Sequence, residues 1–228
     1  MINIKELTVK FGNNTILDNI SIDFLPSRIH GIIGLNGAGK TTFFNVLSNI
    51  IRGDTGKFTY NNRSLTKQDI GYMETVNFFY SRITGNEYLK IFKQTNSNFD
   101  LLALQFFLKL PLDELIENYS TGMKKKLALL GTLKQGKEIY LLDEPFNGLD
   151  IETNKILELI ILALKEKKNT VFVSSHIISP LLTVCDEIHF IENGRFKKTY
   201  SKNEFSKIED ELLGEFQKQV KNIITNAV

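Results

Sequence analysis

The chain has few of the features that mark specialised protein classes, and cysteine is the first of these. Cys185 is the only cysteine among 228 residues, so neither an internal disulfide nor a cysteine-based zinc site is possible. We expect this side chain to be a small buried apolar group. Long apolar runs are also missing, because the most apolar window, residues 156–164, contains Glu158 and falls well short of the roughly 20 residues that span a bilayer. Any membrane role would therefore come through a partner.

An excess of charge of one sign is absent as well. The 28 basic and 26 acidic residues leave a net charge of +2, which gives no electrostatic case for nucleic acid as the principal ligand. The N-terminal MINIKELTVKF interleaves apolar residues with charge, which indicates a strand and not the apolar core of a signal peptide. We therefore expect a cytoplasmic protein that forms one compact domain over residues 1–228.

Turn residues and apolar patterns divide most of the chain into three parts. Short apolar or alternating runs fill the first seventy residues, with hairpin turns expected at Asn13-Asn14 and Asn61-Asn62. From about residue 80 to 133 the pattern becomes helical, and TGNE at residues 84–87 has capping-box spacing. EIYLLDEP and TVFVSSH are apolar runs typical of strands covered on both faces. The helix-length segment 151–168 between them predicts parallel pairing.

The C-terminal part predicts a hairpin followed by a helix. Asn193-Gly194 in HFIENGRF is typical of a hairpin turn, and SKNE at residues 201–204 has capping-box spacing. We expect an amphipathic helix over about residues 203–226 that packs on its own domain, with a dimer contact as the alternative. Its apolar stripe consists of Leu212, Leu213, Phe216, Val220 and Ile223.

GLNGAGKTT lies between an apolar run and a helical stretch, which is the context of a phosphate-binding loop. Glycines permit positive φ and let backbone N–H groups turn inward around phosphate oxygens, and the N-terminus of the following helix adds partial positive charge. Lys40 is placed to neutralise the β- and γ-phosphates, and Thr41 to give its hydroxyl to Mg²⁺. We predict a nucleotide site formed by Gly34, Leu35, Asn36, Gly37, Ala38, Gly39, Lys40, Thr41 and Thr42.

Two adjacent carboxylates, Asp143 and Glu144, end the apolar run of EIYLLDEP. In isolation, acids at a strand end are typical of a solvated terminus, but a phosphate loop in the same chain favours a catalytic role. Asp143 is placed to hold Mg²⁺ through water, and Glu144 to polarise a water for in-line attack on the γ-phosphate. The pair predicts a chain that hydrolyses nucleotide as well as binding it.

Further sequences complete a recognisable set. YSTGMKKKLALL lies between the loop and the two acids, FNGLD follows the acids, and SSH comes next. In this order and spacing, over nearly the whole chain, the set resembles the ATP-binding subunit of an ABC transporter. The resemblance implies an α/β P-loop cassette whose mainly parallel core sheet is flanked by helices. It also implies an N-terminal antiparallel β subdomain, a helical subdomain inserted at about residues 80–133, and ATP and Mg²⁺ as cofactors.

YSTGMK is similar to the family signature, usually LSGGQ, with Ser120 and Gly122 retained. The resemblance implies that Ser120 and the amides of Gly122 and Met123 contact the γ-phosphate of ATP held by a second subunit. The three lysines at residues 124–126 would then lie in the first turn of a helix, where cations oppose the helix dipole. Either the triphosphate of the second subunit supplies the missing anion, or the three side chains are simply solvated.

Three more roles follow from the resemblance. His176, at the end of TVFVSSH, would link the γ-phosphate to the attacking water and to the opposing subunit. Asp150 in FNGLD would communicate across the dimer. Phe11 in VKFGNN would stack on adenine, although a core aromatic is the alternative for this side chain.

The sequence departs from the family in IGYMETVNFFY, where relatives have a glutamine that coordinates Mg²⁺ and senses the membrane partner. Alignment on residues 70–72 puts Thr75 at this position and Glu74 one residue early. Either Glu74 takes the role, as an acid does in some relatives that export peptides or antibiotics, or the ligand is lost; we favour Glu74. The aromatic cluster 78–80 lies where the family receives the coupling helix of its permease, and we expect at least one of its rings in the core.

These implications combine into an ATP-hydrolysing subunit that dimerises over two nucleotides and powers a separate membrane permease, with export favoured. The subunit would lie on the inner face of the cell membrane, as a homodimer or paired with a second cassette. The alternative is a soluble ABC ATPase that remodels nucleic acid, ribosomes or a metal-cluster assembly. The balanced charge and the lack of a second cassette or a long coiled-coil insertion argue against it. A nucleotide-gated switch with little hydrolysis is a second alternative.

Overall fold

The computed structural model describes residues 1–95, 100–208 and 211. Its strands are β1 (Ile2–Phe11), β2 (Asn14–Phe24), β3 (Ile29–Ile33), β4 (Thr55–Tyr60), β5 (Arg63–Ser64), β6 (Ile70–Met73), β7 (Ile139–Asp143), β8 (Thr170–Ser175), β9 (Glu187–Glu192) and β10 (Arg195–Ser201). Its α-helices are α1 (Lys40–Leu47), α2 (Gly85–Ile91), α3 (Leu101–Leu108), α4 (Thr121–Lys134), α5 (Ile151–Glu166) and α6 (Ser179–Val184).

A six-stranded sheet in the order β10-β9-β3-β8-β7-β6 forms the centre of the fold. All of its neighbouring strands pair in parallel except β9 and β10, which form an antiparallel hairpin at one edge. Strands β3, β7 and β8 are buried along their whole length, because they are apolar runs covered on both faces. The parallel core sheet predicted from the sequence is therefore confirmed.

A four-stranded antiparallel sheet in the order β2-β1-β4-β5 packs against the central sheet. The two sheets share an apolar cluster in which the ring of Phe24 lies 4.9 Å from that of Phe172 in an edge-to-face contact. Asn61 and Asn62 both adopt positive φ at the β4–β5 turn, as a tight hairpin requires. This sheet carries Phe11 at the end of β1.

Helices α2, α3 and α4 fill the segment between β6 and β7. The capping box predicted at TGNE is present, because the Thr84 hydroxyl accepts from the N–H of Glu87 and the Glu87 carboxylate accepts from the N–H of Thr84. These helices form their own apolar cluster, which includes Tyr88, Leu108 and Leu130. Phe79 is partly buried and packs against Tyr88 with ring centroids 4.9 Å apart, so one ring of the aromatic cluster 78–80 packs against the core.

The β9–β10 hairpin turns at Asn193-Gly194, as the sequence predicts, and its tip contacts two other parts of the chain. Gly194 donates its N–H to the carbonyl of Ala38 and accepts from the N–H of Asp18. A Cβ at Gly194 would lie 2.2 Å from the carbonyl oxygen of Ile16, and φ there is +72°, so only glycine fits.

A capping box also closes at residues 201–204 after β10. The backbone is helical over residues 205–208, while most of the amphipathic helix predicted for residues 203–226, including its apolar stripe, lies outside the described residues. Cys185 is fully buried, as expected, and burial raises the pKa of its thiol. Within the described ranges, no helix has the length and apolar character needed to span a membrane.

Two buried histidines, His30 on β3 and His189 on β9, lie side by side. His30 Nε2 donates to the carbonyl of Leu25 at 2.8 Å, and its Nδ1 lies 3.2 Å from Nε2 of His189 and 3.4 Å from a carboxylate oxygen of Glu187. The other nitrogen of His189 lies 2.9 Å from the Thr199 hydroxyl. Both imidazoles thus find their polar partners within the protein, and although Glu187 lies nearby, we assign the cluster a packing role.

Candidate active site

The loop between β3 and α1 has the form that a phosphate site requires. Gly39, the residue before α1, adopts φ +108°, and a Cβ there would lie 2.8 Å from the side chain of Leu17 and 3.1 Å from the carbonyl of Ile16. No side chain caps the N-terminus of α1, and its first turn contains no acidic residue. The unsatisfied N–H groups and the positive end of the helix dipole are therefore left to an external anion.

Lys40 folds back over this loop. Its ammonium donates to the carbonyls of Gly34 at 2.7 Å and Leu35 at 3.2 Å, and lies 3.4 Å from Oε1 of Glu144. The side chain is only 6% exposed. A cation held mainly by neutral carbonyls at the centre of the loop is well placed to bind phosphate.

Asp143 is fully buried at the end of β7, and two hydroxyls bind its carboxylate. Thr41, the second residue of α1, donates to Oδ2 at 2.6 Å, and Ser174 donates to Oδ1. A hydroxyl and a carboxylate are hard oxygen ligands of the kind that Mg²⁺ prefers. The pair Thr41–Asp143 predicted from the sequence is thus brought together across about a hundred residues of chain.

The hydroxyl of Tyr72 is a further polar group that could interact with a hydrated cation at the Thr41–Asp143 pair. Tyr72 Oη is buried and has no hydrogen-bond partner among the described residues. Burial raises the pKa of Tyr72, and the charges of Asp143 and Glu74 act in the same direction. A buried polar atom beside two carboxylates is expected to bind ordered water. Glu74 itself is exposed, and its carboxylate forms no hydrogen bond or ion pair with the rest of the described chain.

Glu144 is held in a left-handed backbone conformation, with φ +50°, which is uncommon for a residue with a side chain. Its N–H donates to Ser174 Oγ at 2.9 Å. Its carboxylate lies 2.9 Å from Nδ1 of His176, through Oε2, and faces Lys40 through Oε1. The side chains of Lys40, Glu144 and His176 thus form one cluster beside the Thr41–Asp143 pair.

The lysines at residues 124–126 differ in their surroundings, and one of them, Lys125, is not solvated. Lys125 is 8% exposed, and its ammonium donates to the carbonyls of Glu144 at 2.8 Å and Asn147 at 2.6 Å. Burial lowers its pKa, and the charges of Glu144 and Asp143 oppose that shift. Lys126 lies 3.8 Å from a carboxylate oxygen of Asp150. The interpretation of solvated side chains is wrong for Lys125, because protein carbonyls take the place of water.

Ser120 and Asp150 each begin a helix. Ser120 Oγ accepts from the N–H of Met123 at 3.2 Å at the start of α4, and the residue is exposed. Asp150 accepts from the N–H and the hydroxyl of Thr153 at the start of α5, and these bonds lower its pKa. Gly122 lies against the loop before α5, since a Cβ there would be 3.5 Å from the carbonyl of Gly148.

Some predicted site residues do not join this cluster within the chain. Phe11 is 54% exposed on the antiparallel sheet, and Ser120 is exposed at the N-terminus of α4. Neither makes a hydrogen bond or ion pair to Lys40, Glu144 or His176 in the described part of the structure. Their assignments as adenine and γ-phosphate contacts stay predictions.

Two contributors to the site, Ser174 and Lys125, were missed by sequence reasoning. Ser174 pairs with Asp143 in the β7–β8 register, and its hydroxyl binds both acids of the DE pair. A polar residue inside the apolar run TVFVSSH was the available signal. Lys125 gave no such signal, because its role depends on where α4 lies relative to the turn after β7.

Comparisons with known proteins show what the whole chain is similar to. A protein-family profile described as ABC transporter matches residues 17–147. The chain is 31% identical over 206 residues to the bacitracin transport ATP-binding protein BcrA of Bacillus licheniformis, covering 83% of this chain and 66% of that protein. It is 28% identical over 213 residues to the lantibiotic transport ATP-binding protein SrtF of Streptococcus pyogenes, covering 90% and 93%. It thus spans about two thirds of one relative and nearly all of the other.

The fold is similar to that of a solved ATP-binding cassette, MJ0796, described as a dimer in a post-hydrolysis state with ADP and Pi. The TM-score is 0.77 at 19% sequence identity, and the match covers 89% of this chain and 99% of the other.

Proposed function

This chain belongs to the ABC transporter family and is an ATP hydrolase of the cassette type, and we propose that two such cassettes close over two ATP molecules to drive a separate permease. The observation that supports this proposal most is the division of the predicted site. Lys40, Thr41, Asp143, Glu144 and His176 are assembled in one place, whereas Ser120 is exposed and forms no hydrogen bond with them in the described part of the structure. A second subunit is the simplest source of the missing contact.

The geometry supports a sequence of steps for these side chains. Lys40 would exchange the carbonyls of Gly34 and Leu35 for phosphate oxygens when the triphosphate enters. Its withdrawal from Glu144 would leave that carboxylate with His176 alone, free to accept a proton from the attacking water. His176 would hold the carboxylate through Nδ1 and orient it towards the γ-phosphate.

Mg²⁺ fits the same site. We propose that Thr41 gives its hydroxyl oxygen to the ion and that Asp143 holds it through water, with Ser174 keeping the carboxylate in place. When bound, the ion would neutralise charge on the β- and γ-phosphates. Glu74 remains our candidate for the further ligand that the family supplies with glutamine, and its exposure would let it respond to a partner.

The permease partner is proposed from an exposed aromatic surface. Phe78 is 74% exposed and Tyr80 56%, and their ring centroids lie 5.1 Å apart in an edge-to-face contact, while Phe79, which lies between them in the sequence, is partly buried. Two adjacent exposed rings form a surface suited to a short apolar helix. Docking there would place the chain on the inner face of the membrane. We propose export as the direction of transport. The names of BcrA and SrtF, which refer to bacitracin transport and lantibiotic transport, support this choice.

The experiment that tests dimer formation uses two variants that preserve the helix cap. Glu144→Gln should remove hydrolysis, and this variant with MgATP should elute as a dimer in size-exclusion chromatography with light scattering. Adding Ser120→Asp keeps the N-cap of α4 but places negative charge against the partner's phosphates, so this protein should bind ATP and remain monomeric. Ser120→Asn, a neutral cap, is the matched control and should dimerise. A strictly monomeric Glu144→Gln protein, alone and with its permease, would refute the proposal.

A further inference from the structure

Lys125 is a buried cation without a carboxylate partner. Its ammonium lies within hydrogen-bond distance of two backbone carbonyls, those of Glu144 and Asn147, and no ion pair to it is found within the described residues. Lysine is almost never this buried unless its charge is paired, because removing an ammonium from water is costly. The position of this charge therefore calls for an explanation beyond packing.

Lys125 binds the turn at residues 144–147, and the conformation of this turn sets the direction of the Glu144 carboxylate. The N–H of Glu144 is bound by Ser174 on β8, and its carbonyl by Lys125 on α4. The N–H of Asn147 also donates to the Glu144 carbonyl, at 3.3 Å. Because Glu144 has a left-handed φ that is strained for this residue, its conformation depends on contacts that fix both of its peptide groups.

The same helix carries the exposed Ser120 at its N-terminus. Lys125 lies five positions after Ser120, which corresponds to a rise of about 7.5 Å along a rigid α-helix. Lys126 adds a second contact between α4 and the same loop, through Asp150. A displacement of the α4 N-terminus is therefore transmitted to the turn at residues 144–147 without any intervening flexible segment.

We propose that Lys125 is a positioning residue that couples the α4 N-terminus to the Glu144 turn, so that ATP held by the partner subunit sets the aim of this subunit's own general base. The inference rests on the proposed function, in which Ser120 contacts ATP across the dimer. It goes further by linking the two nucleotide sites through one side chain. Hydrolysis at one site then depends on occupancy of the other.

The test compares two lysines of the same helix. Lys125→Met removes the donor with little change in shape and should lower kcat by about 100-fold, the effect expected when a reacting group is misplaced by about 1 Å. KM should stay within a few fold, because Lys125 does not touch the phosphate loop. Lys134→Met is the matched control: Lys134 also donates to a backbone carbonyl, that of Leu89 at 2.7 Å, but far along α4. Its kcat should stay within twofold of the wild-type value.

A second variant separates the hydrogen bonds from the charge. Lys125→Gln keeps two N–H donors without the charge, so its kcat should be at least tenfold higher than that of Lys125→Met. If the methionine variant does not fold, Lys125→Gln should still have a kcat below that of Lys134→Met, and equal values would overturn the inference. The dependence of rate on MgATP should be sigmoidal in the wild type and hyperbolic in Lys125→Met. In the Glu144→Gln background, Lys125→Met should still form the MgATP dimer, because assembly does not need the general base.

Two kinds of failure can be told apart. An unchanged kcat in Lys125→Met, an equal loss in Lys134→Met, or a raised KM at constant kcat would overturn the inference while the wild type still hydrolyses ATP. Failure of the Glu144→Gln protein to dimerise would overturn the proposed function, and the inference with it.

Discussion

Nδ1 of His176 lies 2.9 Å from Oε2 of Glu144, although 31 residues separate them in the sequence and they follow different strands. Parallel strands β7 and β8 bring both residues to the same edge of the sheet. The histidine thus supports the carboxylate that we assign as general base, and neither residue is expected to act without the other.

Replacement of His176 by alanine should therefore lower kcat by about 10² to 10⁴-fold, the range of a positioned acid–base group. Steady-state ATPase assays would measure this. The double variant with Glu144→Gln should be no slower than Glu144→Gln alone, because residues that act as a unit are not additive. Additive losses would contradict a shared role.

Ser174→Ala should weaken both the fold and the site. The N–H of Glu144 would lose its acceptor, and the buried Asp143 carboxylate would lose a donor. We expect the free energy of unfolding to fall by about 2 kcal/mol and the Mg²⁺ requirement to rise. Denaturant titration and ATPase assays against Mg²⁺ would measure these effects. Ser175→Ala, which removes an acceptor for the N–H of Ile177 only, should leave the Mg²⁺ dependence unchanged.

Phe11→Ala should raise the Kd for ATP by about tenfold if the exposed ring stacks on adenine. Isothermal titration calorimetry would measure the change. Inorganic tripolyphosphate, which has no base, is the control ligand, and its Kd should be the same for both proteins. An equal effect on both ligands would assign Phe11 to the structure of the loop and not to the base.

The exposed rings of Phe78 and Tyr80 should matter only when the permease is present. Serine at both positions should remove the stimulation of ATPase by the permease while leaving basal ATPase within twofold. The control is Phe106→Ser, an exposed ring of similar size on α3. If stimulation survived in the double variant, the docking surface would have to lie elsewhere.

His189 should make the protein less stable as the pH falls. Burial lowers its pKa to about 3, with the charge of His30 acting in the same direction and that of Glu187 opposing it. In the unfolded chain, His189 takes up a proton as the pH falls through about 6.5, whereas in the native chain it stays neutral until a much lower pH. The free energy of unfolding is therefore unaffected by His189 above about pH 6.5 and falls progressively below it. The expected slope is about 1.4 kcal/mol per pH unit for one proton.

Denaturant titrations between pH 5 and pH 6.5 would measure this slope. His189→Gln should reduce this slope by the contribution of one proton. Glu187, paired with Arg28, titrates at lower pH, because hydrogen bonding with His30 lowers its pKa. An unchanged slope in His189→Gln would contradict the assignment.

Local patterns predicted the parts of the site that depend on local backbone form. The glycine spacing required a tight loop before α1, and the apolar runs required buried parallel strands, so Lys40, Asp143 and Glu144 were found from the sequence. Lys125 could not be found in this way. Its spacing marked it as one of three lysines in a helix, and only the packing of α4 against the turn after β7 decides which carbonyls it meets.

The contacts of Gly194 have a consequence for how the cassette changes shape. Its backbone bonds to Ala38 in the phosphate loop and to Asp18 in the antiparallel sheet, and β1, which ends at Phe11, pairs directly with the strand that carries Asp18. The spacing between Phe11, our predicted adenine contact, and the predicted phosphate loop is therefore set by the contacts of Gly194. We expect the segment from β1 to α1 to move as one rigid body. Conformational changes should then occur mainly in the helices that follow β6.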